Sequence, residues 1–361
     1  MRTVHATPTY CIRERNFKFM NTAFVSAYRI LLRLSRRVRS GAGAIGVSLI
    51  GPRFHFLPTL QAAMSWIHET KLTWLQAAAV RVLKTGKIPT HLAVIMDGNR
   101  RFAKKQNMQC VEGHLHGFEK LSEVLFWCSE LGITEVTVYA FSIENFKRSK
   151  EEVDGLMDLA LKKLKSLLNE MEKIHEKGLC VRVLGNLSYL PVEVQKVIAD
   201  VVLQTRHNTR CYLNICISYT SREEMCNAIQ ELAAGVQEGL LSPDDVTEES
   251  LSHALYSRNS KDPALVIRTS GEVRLSDFLL WQSSHSVLEF VSVLWPEFSI
   301  WHLLAAVLWY QRQESLLEVG FHIATLISHI WVPVPLFAPR FLFLTHFWVE
   351  SCLVKGNALK P

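Results

Sequence analysis

A chain of 361 residues, 48% of them hydrophobic, can bury one large core or two, which excludes a disordered chain or a short disulfide-stapled fold. The formal net charge of +6 is unevenly spread: residues 1–63 carry ten Lys or Arg and one acid, Glu14, a balance of +9, so residues 64–361 sum to −3. A body of that sign is not a basic nucleic-acid binder. The eight cysteines stand singly, with no CxxC pair or metal-ligand spacing, as expected in a reducing, cytosol-facing compartment.

In chain order, residues 1–63 form a basic extension. Within it, 28–39 (YRILLRLSRRVR) has the pattern of a basic amphipathic helix, the composition of a targeting or membrane-surface segment. Met64 is an alternative functional start. Residues 64–84 have helical composition, with Trp66, Ile67, Trp74 and Leu75 expected at the surface, on a membrane or against the body. From residue 91 to about 312, strand-like runs (92–96, 136–141, 181–184, 212–217, 265–268, 287–291) alternate with helical patterns (115–131, 151–177, 191–205, 221–238, 298–312). Such alternation predicts an α/β domain, a single mostly parallel sheet flanked by helices. The helix over 151–177 places Leu156, Leu159, Ala160, Leu164, Leu167, Leu168 and Met171 on one apolar stripe, which reads as core. Cys211 and Cys216 read as buried thiols. Beyond residue 314 the chain becomes an apolar tail, long enough to cross a bilayer but broken by Pro333, Pro335 and Pro339.

Three predicted strands end in groups suited to a phosphorylated ligand. The run 92–96 leads into Asp97-Gly98-Asn99-Arg100-Arg101, where Gly98 lets the backbone turn and a helix starting near Asn99 would offer free N–H groups. Arg100 and Arg101 add fork-shaped cations, and a carboxylate beside them points to a metal-bridged diphosphate. The strand over 136–141 runs into Ser142, Glu144, Asn145 and Arg148, and 265–268 ends in Arg268 followed by a Thr-Ser-Gly turn, Arg274 and Ser276. Each arginine taken alone reads as a surface ion-pair partner. Together they point to a site for two phosphorylated substrates beyond the C-terminal ends of the strands.

DGNRRFAKK, EGHLHGF, VYAFSIENFKRSKEEVDGLMDL, RTSGEVRLSDFLLWQ and VLWPE, in this order and spacing, resemble the cis-prenyltransferases (undecaprenyl diphosphate synthase-like), with the closest match to their eukaryotic dolichol-type branch. The resemblance runs from about residue 64 to 311. It implies an apolar product tunnel beside the sheet and condensation of isopentenyl diphosphate with an allylic primer such as farnesyl diphosphate. The product would be a long-chain polyprenyl (dehydrodolichyl) diphosphate for dolichol synthesis and protein glycosylation. By motif position it implies that Asp97 binds Mg²⁺, that Gly98, Asn99, Arg100 and Arg101 cradle the leaving diphosphate, and that His114, Asn145 and Arg148 assist ionisation and orientation. Asn145 would lie near the proton lost on condensation. Arg268, Arg274 and Ser276 would hold isopentenyl diphosphate.

The chain departs from that family at defined places. Cys110 occupies a position where a phosphate-binding arginine is usual, Val287 replaces a metal-associated glutamate of bacterial members, and Glu297 is the WPE acid. No Arg-x-Gly segment follows Trp295. The resemblance therefore implies a Nogo-B receptor-like partner subunit that supplies one, at the cytosolic face of the endoplasmic reticulum membrane. A mitochondrial location directed by residues 1–63, and an impaired scaffold or binding subunit of the same complex, are the alternatives. The expected domains are 1–63, a catalytic domain over 64–313, and an atypical tail over 314–361.

Overall fold

The continuous apolar run after His91 becomes β1 (His91–Ile95), a strand buried on both faces at the middle of a six-stranded sheet. This computed structural model describes residues 66–67 and 71–329, with the backbone alone for 315–329. The other strands are β2 (Glu135–Ser142), β3 (Leu179–Leu184), β4 (Cys211–Tyr219), β5 (Leu265–Arg268) and β6 (Val287–Phe290), in the order β3-β4-β2-β1-β5-β6. Every pairing is parallel. Successive β1 side chains point to opposite faces. Leu92 and Val94 enter the larger apolar core, and Ala93 and Ile95 enter a smaller one with Val266, Tyr219 and Phe278.

Nine α-helices lie among the described residues. These are α1 (Trp74–Leu83), α2 (Asn99–Lys105), α3 (Cys110–Leu131), α4 (Lys150–Leu168), α5 (Met171–Lys177), α6 (Val192–Thr205), α7 (Ser221–Gln237), α8 (Glu248–Ala254) and α9 (Ile300–His329). The expected α/β architecture is present. α8 follows an acidic, turn-rich stretch in which no helix is expected, and α9 runs well past residue 312.

Four expectations are corrected. Residues 64–84 do not form one helix: α1 begins at Trp74, where a reciprocal Thr73–Gln76 capping box satisfies the first turn. Trp74 is 82% exposed, but Trp66 is buried: its indole N–H donates to the Lys163 carbonyl (2.7 Å) and its ring meets Phe118 edge-on. The helix expected over 151–177 is two, α4 and α5, broken at Asn169 and Glu170; the Glu170 carboxylate accepts from the Trp66 amide (3.2 Å). The Leu156–Met171 stripe therefore spans two helices. Cys216 is buried as expected, while Cys211, at the start of β4, is only half-buried. Backbone contacts divide the chain into two units, Met1–Glu314 and Ser315–Pro361. The extension 1–63, Met64 and the tail beyond 329 lie outside the described residues, and among those described no helix is long and apolar enough to cross a membrane.

Candidate active site

The C-terminal ends of β1, β2, β4 and β5 open into one cleft of about 870 Å³. Thirteen residues singled out from the sequence line it: Asp97, Gly98, Asn99, Arg100 and Arg101 after β1; His114 from α3; Ser142, Glu144, Asn145 and Arg148 after β2; Arg268, Arg274 and Ser276 after β5. Three segments far apart in sequence converge because β1 pairs with both β2 and β5.

Asp97 is clamped through its backbone and its carboxylate. Its carbonyl accepts from Thr269 Oγ1 (2.7 Å) and from the Trp295 amide (3.0 Å), and the Trp295 indole N–H donates to the Gly117 carbonyl (2.7 Å). Its Oδ2 accepts from Arg268 Nη2 (2.9 Å) and lies 3.5 Å from Arg101 Nη2. Gly98, at φ 115°, caps α2 without a side chain; a Cβ there would lie 3.1 Å from the Leu294 backbone. Only a residue without Cβ makes that turn while α2 stays against Leu294.

Arg268 organises the opposite wall. Its side chain is only 5% exposed; Nη1 donates to the Arg274 carbonyl and to Ser276 Oγ, each at 2.5 Å, while Nη2 holds Asp97. The guanidinium thus ties the β5 loop to the end of β1. Arg101 and Arg274 both contact Glu272, and Ser270 and Ser276 take positive φ to shape the loop. Beyond β2, Ser142 and Asn145 form a reciprocal cap that fixes Asn145 at the rim. Arg148 donates to Glu152 of α4 (2.9 Å).

His114 is half-buried. Burial, and then the Arg148 charge, push its pKa down to about 4, and its Nε2 is a buried atom with no hydrogen-bond partner among the described residues. Cys110, one helical turn away on α3, donates to Glu152 Oε1 (3.7 Å); burial and Glu152 raise its thiol pKa. The positive charge expected of an arginine at this position is therefore absent from that corner.

Several residues of the cleft escape the sequence reading. Arg222 and Asp277 pair across it (2.8 Å), Glu272 bridges two arginines, and Tyr139 stacks on Phe278. A signal for Arg222 exists: β4 ends in Tyr219-Thr220-Ser221-Arg222, the same strand-then-hydroxyl-then-arginine pattern read at the other strand ends. Glu297 forms an ion pair with Lys105 (2.7 Å), which fastens the far end of α2.

A smaller apolar cavity of about 150 Å³ shares Met96, Asn99, His114, Ala140, Phe141 and Leu156 with the cleft. Four stripe residues, Leu156, Leu159, Ala160 and Leu164, line it, whereas Leu167 is buried in the core. Charged groups at the mouth and an apolar interior suit a ligand with an anionic head and a hydrocarbon tail.

The donor set also bears on a divalent metal. Among the described residues only Oδ2 of Asp97 is engaged, and one carboxylate completed by phosphate oxygens and water is an arrangement Mg²⁺ favours. The residues present fit such an ion.

A family model described as "Putative undecaprenyl diphosphate synthase" matches residues 95–317. The chain is 54% identical over 255 residues to the dehydrodolichyl diphosphate synthase complex subunit of Homo sapiens, an overlap covering 71% of this chain and 77% of the relative. It is 46% identical over 263 residues to a tritrans,polycis-undecaprenyl-diphosphate synthase (geranylgeranyl-diphosphate specific) of Thermococcus kodakarensis, covering 73% and 95%. Among solved structures, lavandulyl diphosphate synthase from Lavandula x intermedia, in complex with dimethylallyl diphosphate, superposes with a TM-score of 0.59 at 33% identity. That match covers 62% of this chain and 95% of the other.

Proposed function

Because the chain belongs to the undecaprenyl diphosphate synthase-like prenyltransferases, we propose that it is the catalytic subunit of a cis-prenyltransferase complex. It would condense isopentenyl diphosphate with an allylic primer such as farnesyl diphosphate and build a long-chain dehydrodolichyl diphosphate for dolichol synthesis. The observation that carries this reading is the single cleft in which three strand ends bring five arginines and Asp97 to the mouth of an apolar cavity.

In each cycle the allylic C–O bond breaks and both electrons leave with diphosphate. The isopentenyl double bond closes the new C–C bond, and a proton is lost. Charge develops on the leaving group, so donors already aimed at it lower the barrier. Arg100, Arg101 and the backbone at Gly98 and Asn99 would receive that charge, with His114, Asn145 and Arg148 orienting the reacting ends. Arg268, Arg274, Ser276 and Ser142 would hold the second diphosphate. Mg²⁺ held by Asp97 would neutralise the leaving diphosphate. The hydrocarbon would extend into the cavity lined by Leu156, Ala160 and Leu164.

The human relative is named a complex subunit, which supports a partner here. A Nogo-B receptor-like subunit supplying an Arg-x-Gly segment, and a location at the endoplasmic reticulum membrane, complete the proposal. Residues 64–313 would be the catalytic domain, 1–63 the basic extension and 314–361 the tail. The impaired-subunit alternative has only Cys110 and the tail in its favour. The test is co-expression with the partner subunit, followed by incorporation of labelled isopentenyl diphosphate with farnesyl diphosphate and Mg²⁺. Long-chain product is expected; no elongation by an intact complex overturns the enzyme reading.

A further inference from the structure

At one corner of the cleft, two helix N-terminal turns bring together three groups that the proposed reaction does not use as a set. Cys110 opens α3, His114 lies four residues on and so on the same face, and Glu152 comes from the first turn of α4. Cys110 Sγ, one imidazole nitrogen and one Glu152 oxygen lie within 4.8 Å of one another. The helices are held close here: a Cβ on Gly155 of α4 would reach Val111 of α3 at 3.0 Å. We propose that Cys110, His114 and Glu152 form a binding site for a thiophilic divalent cation such as Zn²⁺, separate from the carboxylate of Asp97.

The ligand chemistry selects the ion. Thiolate, imidazole and carboxylate are the donors Zn²⁺ takes, whereas Mg²⁺ keeps to oxygen. Three protein ligands leave a fourth position for water or a substrate oxygen, the pattern of open zinc sites. His114 is suited to the part, since its Nε2 is a buried atom with no hydrogen-bond partner among the described residues. On binding, the Cys110 thiol proton leaves to solvent and the sulfur becomes a thiolate ligand. Arg148, 2.9 Å from Glu152 Oε1, and Arg100 at 3.9 Å now share that carboxylate and would compete for it. A dication with one thiolate and one carboxylate sums to zero charge, so these two arginines would keep the corner attractive to an anion. Sequence inspection for cysteine spacing misses the site, because only one cysteine contributes and its third ligand is 42 residues away.

Co²⁺ is the probe, because its thiolate complexes absorb by charge transfer. The full chain, stripped with a chelator and kept in Mg²⁺, is titrated with CoCl₂ and then with ZnCl₂. One equivalent of Co²⁺ with thiolate absorption, displaced by one equivalent of Zn²⁺, is expected. The absorption disappears in Cys110→Ser and persists in Cys226→Ser, which alters an exposed thiol elsewhere. Glu152→Gln, which keeps the thiol and reads the same site should Cys110→Ser not fold, weakens binding by about tenfold or more. No thiolate absorption in the unaltered chain, absorption that survives Cys110→Ser, or unchanged affinity in Glu152→Gln overturns the proposal.

Discussion

Asp97 has two duties that substitution can separate. Its carboxylate faces the cleft as the expected metal ligand, and it is also the counter-ion of Arg268, which is almost fully buried. Asp97→Ala strands that guanidinium without its charged acceptor, a loss of about 1–3 kcal/mol. Asp97→Asn keeps an oxygen for Arg268 while discarding the negative charge. Urea unfolding should therefore show Asp97→Ala clearly destabilised and Asp97→Asn close to the unaltered chain. Both variants should lose about 10²-fold or more in isopentenyl incorporation. Full turnover in Asp97→Asn would refute the metal role. Gly98 is a second residue-scale test. An alanine at φ 115° takes on backbone strain of about 1–3 kcal/mol and presses on Leu294, so Gly98→Ala should lower both the unfolding midpoint and diphosphate affinity.

Elements meet through polar groups as well as apolar ones. Below the cleft, Asn214 of β4 donates to Glu135 and Thr137 of β2 (2.8 and 2.9 Å) and to Ser260 Oγ (3.1 Å). His91 of β1 reaches Thr137 Oγ1 (2.7 Å), so one network crosses three adjacent strands. Slipping any strand by one residue would reverse its faces and orphan these groups. Asn214→Ala should destabilise the fold by about 2–3 kcal/mol in denaturant titration, because the Glu135 carboxylate loses its buried amide donor. An unchanged midpoint would mean the network contributes nothing. What was legible beforehand follows the same division. The run over 92–96 and the hydroxyl-and-arginine turns after three strands depend on neighbours in sequence, and they were readable. The Arg222–Asp277 pair joins residues 55 apart and Lys105–Glu297 residues 192 apart; the turn after β4 signals Arg222, but no local pattern encodes either pairing. The break between α4 and α5 was also hidden, because its apolar stripe continues through Asn169 and Glu170 while Trp66, about a hundred residues earlier, holds the turn.

At the scale of the whole molecule, two desolvated groups give stability opposing pH dependences. Glu289 lies on the edge strand β6, where burial alone pushes its carboxyl up to about 7 from 4.5. Between those values the folded chain binds more protons than the unfolded one, so stability falls as pH rises through that window. His114 acts in the opposite sense. It titrates at about 4 in the fold and at 6.5 when unfolded, so the unfolded chain binds the extra proton and stability rises over that interval. The two slopes offset one another where the windows overlap, and above 6.5 only the Glu289 penalty still grows. Glu289→Gln removes the penalty. In thermal unfolding it should raise the midpoint at about pH 8 by roughly 2–4 °C, for a gain on the order of 1 kcal/mol after allowing for partial exposure, and leave it nearly unchanged at about pH 4. His114→Gln should flatten only the acid side of the profile. A Glu289→Gln shift of equal size at both pH values would instead assign the effect to packing at the sheet edge, and charge burial there would be refuted.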